Sequence, residues 1–166
     1  MTATFTDRID IALTVNGEAV EARVPAGRHL VDFLRLDLGL TGAHASCEHG
    51  VCGACTVRVD GQAVRGCLML AAQADGAEVW TIEGLSDNGS VSDLQAAFVA
   101  RNALQCGFCT PGMLVAAADL LAVGGVPDRA TIREHLSGNY CRCTGYEAIV
   151  DAIESVAQAR ADGGVA

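Results

Sequence analysis

Residues 47–55 read CEHGVCGAC, three cysteines spaced C-x4-C-x2-C, and the N-terminal half of this 166-residue chain is organised around them. A fourth cysteine, Cys67, follows after eleven further residues. This is the plant-type spacing, which delivers four thiolates to one [2Fe–2S] cluster. We therefore predict that Cys47, Cys52, Cys55 and Cys67 bind one such cluster.

Four more cysteines lie in the C-terminal half, in the short motifs QCGFCT (105–110) and YCRCT (140–144). The first group uses four of the eight cysteines, so the other four supply a complete ligand set, and a second [2Fe–2S] cluster is predicted. Its ligands would be Cys106, Cys109, Cys141 and Cys143. Two one-electron centres in one small chain indicate a protein that transfers electrons.

Other uses of cysteine fit this pattern less well. A structural zinc site is the main alternative, but zinc modules pair two short C-x2-4-C knuckles, unlike the quartet that ends at Cys67. A Rieske centre would need a second histidine beside His49, and the later pair is Cys52 and Cys55. Thioredoxin-like chemistry would need a βαβ context that the sequence does not predict.

The composition limits the partners and the compartment. A formal charge of −9 argues against nucleic acid and against an anionic membrane surface. No segment approaches the roughly 20 apolar residues of a membrane span. Residues 1–15 lack the basic and apolar regions of a signal peptide. We therefore expect a cytoplasmic protein, in which thiols stay reduced and serve as metal ligands or redox groups.

The first 84 residues predict a small α+β domain. Apolar residues alternate over 9–15 and 20–24, as in half-buried strands, and Asn16-Gly17 between them is a strong hairpin signal. Residues 30–34 have helical spacing, and Gly39 lies where a helix ends. The remaining strands are predicted at 56–59 and 63–64, around Asp60-Gly61, and at 79–82.

Residues 85–166 predict an all-α domain of four helices, which follows a polar connector at 86–90. The helices are expected around 94–98, from a Thr110 cap before Pro111 to Leu121, from Asp128 or Thr131 to Leu136, and after a capping box at 144–147. Each cysteine pair of this half would precede a helix. A helix start stabilises thiolates through its free N–H groups and positive dipole end.

Three segments together resemble a known family. The segments CEHGVCGACTV (47–57), QCGFCTPGM (105–113) and GNYCRCTGY (138–146) are similar to the small iron–sulfur subunit of the xanthine oxidase family of molybdenum hydroxylases, of the carbon monoxide dehydrogenase small-subunit kind. The resemblance covers nearly the whole chain, apart from residues 1–6 and 161–166. It implies a β-grasp plant-type ferredoxin domain over 1–84 and a helical [2Fe–2S]-binding domain over 85–166.

The resemblance also implies partners and cofactors. A large subunit would hold molybdopterin, in its cytosine dinucleotide form, and a medium subunit would hold FAD. Both are expected on separate chains, and the assembly is expected to be a dimer of heterotrimers. Electrons would pass from the molybdenum site to the cluster of the helical domain, then to the plant-type cluster, then to FAD. The chain itself would contribute no catalytic residue to this oxidoreductase.

By position, Gln105 corresponds to the family glutamine that hydrogen-bonds the pterin, and Cys143 to the cluster ligand next to the pterin. Arg142, between two cysteines, is expected either to raise the potential of its cluster or to pair with a partner's carboxylate. The alternative function is a free-standing two-cluster ferredoxin that serves several enzymes.

Overall fold

The computed structural model describes residues 7–163. Five strands form one mixed sheet: β1 Arg8–Val15, β2 Glu18–Pro25, β3 Thr56–Val59, β4 Gln62–Arg65 and β5 Glu78–Trp80. Their order across the sheet is β2-β1-β5-β3-β4. β1 and β5 run parallel, and the other neighbours are antiparallel. The loops of this sheet carry the first group of cysteines.

Both predicted hairpins are present. Asn16 and Gly17 have φ of 53° and 85°, and Asp60 and Gly61 have φ of 47° and 82°. Two successive positive φ values match the twist of the turn to that of the flanking strands, which is why these residue types form two-residue hairpins. The first hairpin joins β1 to β2, and the second joins β3 to β4.

One helical segment crosses the sheet. The helix α1, Leu30–Asp32, continues directly into a wider π-helical turn, Phe33–Asp37. Four apolar side chains of this segment are buried: Leu30, Val31, Phe33 and Leu34. They pack with the inward residues of the strands into the core of the first half. Gly39, at φ 73°, follows the segment as predicted.

The C-terminal half is helical: α2 Ile82–Asp87, α3 Ser92–Ala100, α4 Thr110–Ala122, α5 Arg129–His135 and α6 Glu147–Ala161. The four predicted helices correspond to α3 to α6. The strand prediction for 79–82 is wrong at its end, because the N–H of Thr81 donates to Asn16 Oδ1 rather than to a strand. Ile82 then begins α2, which takes up part of the predicted connector, and its side chain joins the helical core.

Three helix starts show which residue caps each helix. The cap of α4 is Cys109, one residue before the predicted Thr110. Asp128 caps α5, as one of the two predictions had it, and accepts from the N–H of Thr131 at 2.8 Å. The capping box predicted for α6 is absent, because Tyr146 precedes the helix in the left-handed region, with φ of 70°. The hydroxyl of Thr144 accepts from the Tyr146 N–H at 3.2 Å instead.

The two halves have separate hydrophobic cores. The core of the sheet half draws its buried residues from 11–79, and the core of the helical half from 82–157. The helix α4 packs against β3 and β4, where Asp119 accepts from the N–H of Ala63 at 3.4 Å. Within residues 7–163, no helix combines the length and apolar character needed to cross a bilayer. The domain boundary between 84 and 85 stays a prediction.

Candidate metal centres

All eight cysteines are free thiols, and their contacts with one another fall within two groups. In the second group, the sulfurs of Cys106 and Cys143 are 3.7 Å apart. Two thiolates on one tetrahedral metal with bonds of about 2.3 Å would stand about 3.8 Å apart, so this pair has the separation of ligands to one ion. Cys109 and Cys141 form a second side-chain contact in the same group.

The first group is built on a tightly bent loop. Cys55 and Cys67 are buried and in contact, whereas Cys47 and Cys52 are half-buried. The N–H of Cys52 donates to Cys47 Sγ at 3.4 Å. A left-handed residue, Glu48 at φ 57°, helps to turn this loop so that its N–H groups face the sulfurs.

A glycine lets a side chain close over this loop. A Cβ on Gly50 would lie 2.3 Å from Leu68 Cδ1, so the Leu68 side chain sits directly on that backbone. His49, next to Gly50, is exposed, and its ring bonds the carbonyl oxygen of Cys47. His49 is therefore an exposed residue of this loop, as predicted.

The thiols of the first group differ in acidity because their surroundings differ. Backbone N–H groups, first that of His49 and then that of Cys52, lower the pKa of Cys47 to about 6. Burial raises the pKa of Cys55 to about 11, and the nearby thiol of Cys67 adds to the shift. At neutral pH Cys47 is therefore largely a thiolate, whereas Cys55 has to lose a proton to bind metal.

The second group surrounds a cavity of about 230 Å³. Its walls include all four cysteines of the group, and Cys52 of the first group also reaches it. Burial raises the pKa of Cys109 to about 12, with the Cys141 thiol next in effect. Partial burial opposes ionisation of Cys141 too, but the Thr144 hydroxyl donates to its sulfur at 3.1 Å, and the net result is a lowered pKa.

The arrangement of the thiols fits binuclear clusters better than single ions. Each group divides into sulfur pairs, and a [2Fe–2S] cluster takes two thiolates at each of its two irons. Within residues 7–163, no three cysteine, histidine or acidic side chains converge closely enough to hold one ion. The sulfur pairs of each group are therefore the positions at which two irons would be held.

Gln105 and Cys143 lie together on the surface of the second group. The Gln105 side chain is exposed, and its amide nitrogen donates to the Cys143 carbonyl oxygen at 3.0 Å. This bond ties the loop of Cys106 to the loop of Cys143. Arg142 is exposed at the rim of the cavity and forms no ion pair with any residue between 7 and 163.

Three residues of the site were not found from the sequence. Thr144 was assigned to a cap, but it donates to Cys141 Sγ. The Tyr146 hydroxyl accepts from the Cys141 N–H at 2.8 Å. Asn139 is buried between the two groups. All three lie within five residues of Cys141 in GNYCRCTGY, and that proximity is the signal the sequence offers for them.

Known families and proteins match this arrangement. The 2Fe-2S iron-sulfur cluster binding domain matches residues 13–82, and the [2Fe-2S] binding domain matches residues 81–154. The chain is 52% identical over 149 residues to caffeine dehydrogenase subunit gamma of Pseudomonas sp. (strain CBB1), covering 88% of this chain and 89% of that protein. It is 53% identical over 147 residues to the nicotine 6-hydroxylase small subunit of Paenarthrobacter nicotinovorans, covering 89% and 88%.

A solved structure agrees. A chain of quinoline 2-oxidoreductase from Pseudomonas putida 86 superposes with a TM-score of 0.88 at 48% identity, covering 96% of this chain and 100% of that one. The chain is a small iron–sulfur subunit of the xanthine oxidase family of molybdenum hydroxylases. As a member of this family it transfers electrons within a multi-subunit oxidoreductase and carries iron–sulfur clusters. The predicted β-grasp ferredoxin domain followed by a helical domain is confirmed.

Proposed function

We propose that this small subunit relays electrons from a molybdopterin site in a large partner subunit to FAD in a medium partner subunit. Each [2Fe–2S] cluster, when bound, accepts and releases one electron. One cluster would be held by Cys106, Cys109, Cys141 and Cys143, and the other by Cys47, Cys52, Cys55 and Cys67. The electron would pass through them in that order.

The contact between the two cysteine groups carries this proposal. The N–H of Tyr140 donates to the carbonyl oxygen of Cys52 at 2.8 Å, and Tyr140 is bonded covalently to Cys141. This hydrogen bond joins a ligand segment of one group directly to a ligand segment of the other. Such a junction is of use to a relay, in which an electron crosses from one group to the next.

Exposure supports the direction of the relay. Cys106 is exposed and Cys143 half-exposed, so an electron donor outside this chain can approach them. Gln105 lies beside them with its amide nitrogen fixed on Cys143, which leaves its amide oxygen available to a cofactor held by a partner. These features favour the second group as the entry point, with Gln105 and Cys143 as the contacts to molybdopterin.

The partners and the compartment follow from the family and from the thiols. Relatives are named as the gamma or small subunit of their enzymes, which supports an assembly of unlike chains. We propose a dimer of heterotrimers with the cytosine dinucleotide form of molybdopterin, and a domain boundary between 84 and 85. Eight free thiols favour a reducing compartment, the cytoplasm.

Purification of the untagged chain from its native host tests the relay. We expect it to co-elute with two larger chains, with iron, molybdenum and flavin in the same fractions. The Gln105→Leu variant should assemble and keep both clusters but slow the reduction of the clusters by the molybdenum site. A parent chain that elutes alone near 17.1 kDa with both clusters complete would instead favour the free-standing carrier.

A further inference from the structure

Asn139 lies where three ligand-bearing segments meet, with only 2% of its surface exposed. Its amide nitrogen donates to the carbonyl oxygens of Gly53 and Gly112, both at 3.1 Å. Gly53 belongs to the loop of the first cysteine group. Gly112 lies three residues after Cys109, and Asn139 itself lies two residues before Cys141. One side chain, carried by the Cys141 segment, therefore bonds both the loop of the first group and the Cys109 segment of the second.

The backbones around Asn139 are in direct contact. A Cβ on Gly112 would lie 2.3 Å from the carbonyl oxygen of Gly53. A Cβ on Gly53 would lie 2.4 Å from the carbonyl oxygen of Gly138 and 2.7 Å from the Asn139 side chain. Glycine is thus required at both positions, and the separation of the segments is as small as the chain allows.

The orientation of the Asn139 carboxamide is fixed from its other end. The Arg65 guanidinium donates to Asn139 Oδ1 at 3.1 Å and to the Gly138 carbonyl oxygen at 2.8 Å. Arg65 also donates to Thr56 Oγ1 at 2.6 Å, and that hydroxyl donates to the Gly53 carbonyl oxygen at 2.6 Å. The amide oxygen of Asn139 therefore faces the cation, and its nitrogen faces the carbonyl oxygens.

We propose that Asn139 is a positioning residue, which sets the separation of the two clusters and so the rate at which an electron crosses between them. The inference rests on the proposed relay. The two halves have separate hydrophobic cores that meet where α4 packs against β3 and β4, so the polar bonds between the cysteine loops add directly to what holds one ligand set against the other. A buried, fully paired polar network resists displacement because each broken bond leaves an unsatisfied group. Electron tunnelling slows steeply with distance, so a small displacement has a large effect.

The experiment uses the full chain with both clusters bound. Asn139→Leu keeps the size of the side chain and removes its hydrogen bonds. The matched control is Thr81→Val, because the Thr81 side chain is also buried and its hydroxyl accepts from the Asn16 amide nitrogen at 3.0 Å, away from both cysteine groups. Two quantities are measured: the spin–spin splitting in the EPR spectrum when both clusters are reduced, and the rate of electron equilibration between them after rapid partial reduction.

We expect Asn139→Leu to keep both clusters and their separate spectra, with a changed splitting and a several-fold slower equilibration. Thr81→Val should lose stability but keep the splitting and the rate of the parent. If Asn139→Leu does not fold with both clusters, Asn139→Ser is judged by the same two measurements, with the same changes expected.

A folded Asn139 variant with the splitting and rate of the parent would overturn the inference, whatever its stability, since a merely structural role predicts that result. The failure of the relay itself is distinguishable. A parent chain that shows no second cluster signal, or no electron exchange between its clusters, contradicts the proposed function rather than the role of Asn139.

Discussion

The Thr144 hydroxyl is predicted to raise the reduction potential of the second cluster, and Thr144→Val should lower it. Oγ1 of Thr144 lies 3.1 Å from Cys141 Sγ and donates to it. A hydrogen bond to a charged group contributes about 1.5–3 kcal/mol. The hydrogen bond should stabilise the reduced cluster more than the oxidised one, by roughly a third to a half of this energy, because the reduced cluster carries one more negative charge. For one electron this is about 20–65 mV, since 59 mV corresponds to a factor of ten in the equilibrium constant.

The assay is a redox titration followed by EPR, which measures both clusters in one sample. Thr144→Ser is the control, because it keeps a hydroxyl that can donate to Cys141 Sγ and accept from the Tyr146 N–H. We expect the potential to fall in Thr144→Val for the second cluster alone and to stay near the parent value in Thr144→Ser. Equal potentials in all three proteins, or equal shifts of both clusters, would refute the reasoning.

Three further predictions concern stability. In urea titrations, Gly112→Ala should lower the free energy of unfolding by about 3 kcal/mol or more, because its Cβ would lie 2.3 Å from a backbone oxygen. Gly27→Ala is the control: a Cβ there meets nothing within 4 Å, so the free energy of unfolding should stay near that of the parent. Tyr146→Phe should lower the free energy of unfolding by about 1–3 kcal/mol, since the Cys141 N–H loses its acceptor. Tyr140→Phe, at an exposed side chain, is the control and should change the melting temperature little. Removal of the iron with a chelator should lower the free energy of unfolding, because the metal binds the folded state; an unchanged urea midpoint would contradict this.

Local signals predicted much of the fold. The hairpins at Asn16-Gly17 and Asp60-Gly61 depend on backbone preferences of those residues themselves, so they could be read from four or five positions. The two cysteine groups could also be predicted from the sequence, because the spacing of cysteines along the chain identifies them. The Asp128 cap of α5 could be predicted for the same reason, because its side chain accepts from an N–H only three residues away.

The rest depends on contacts between segments that are distant in the sequence. Ile82 has the character of a strand residue, but the side chain of Asn16 captures the preceding N–H and the strand ends. Thr144 has the spacing of a capping residue, but its hydroxyl donates a hydrogen bond to Cys141 Sγ, three residues earlier. The nearness of Asn139 to Cys141 marks it as a site residue, but its bonds could not be read from the sequence, because its partners lie 27 to 86 residues away.

EPR of the fully reduced native complex, with single cysteine variants, shows whether this chain holds two separate clusters. We expect two distinct [2Fe–2S] signals from this chain. Cys47→Ser should alter one signal and leave the other, and Cys141→Ser should do the reverse. A single signal, a signal altered by both substitutions alike, or a colourless protein that contains zinc would show that the chain does not hold two [2Fe–2S] clusters.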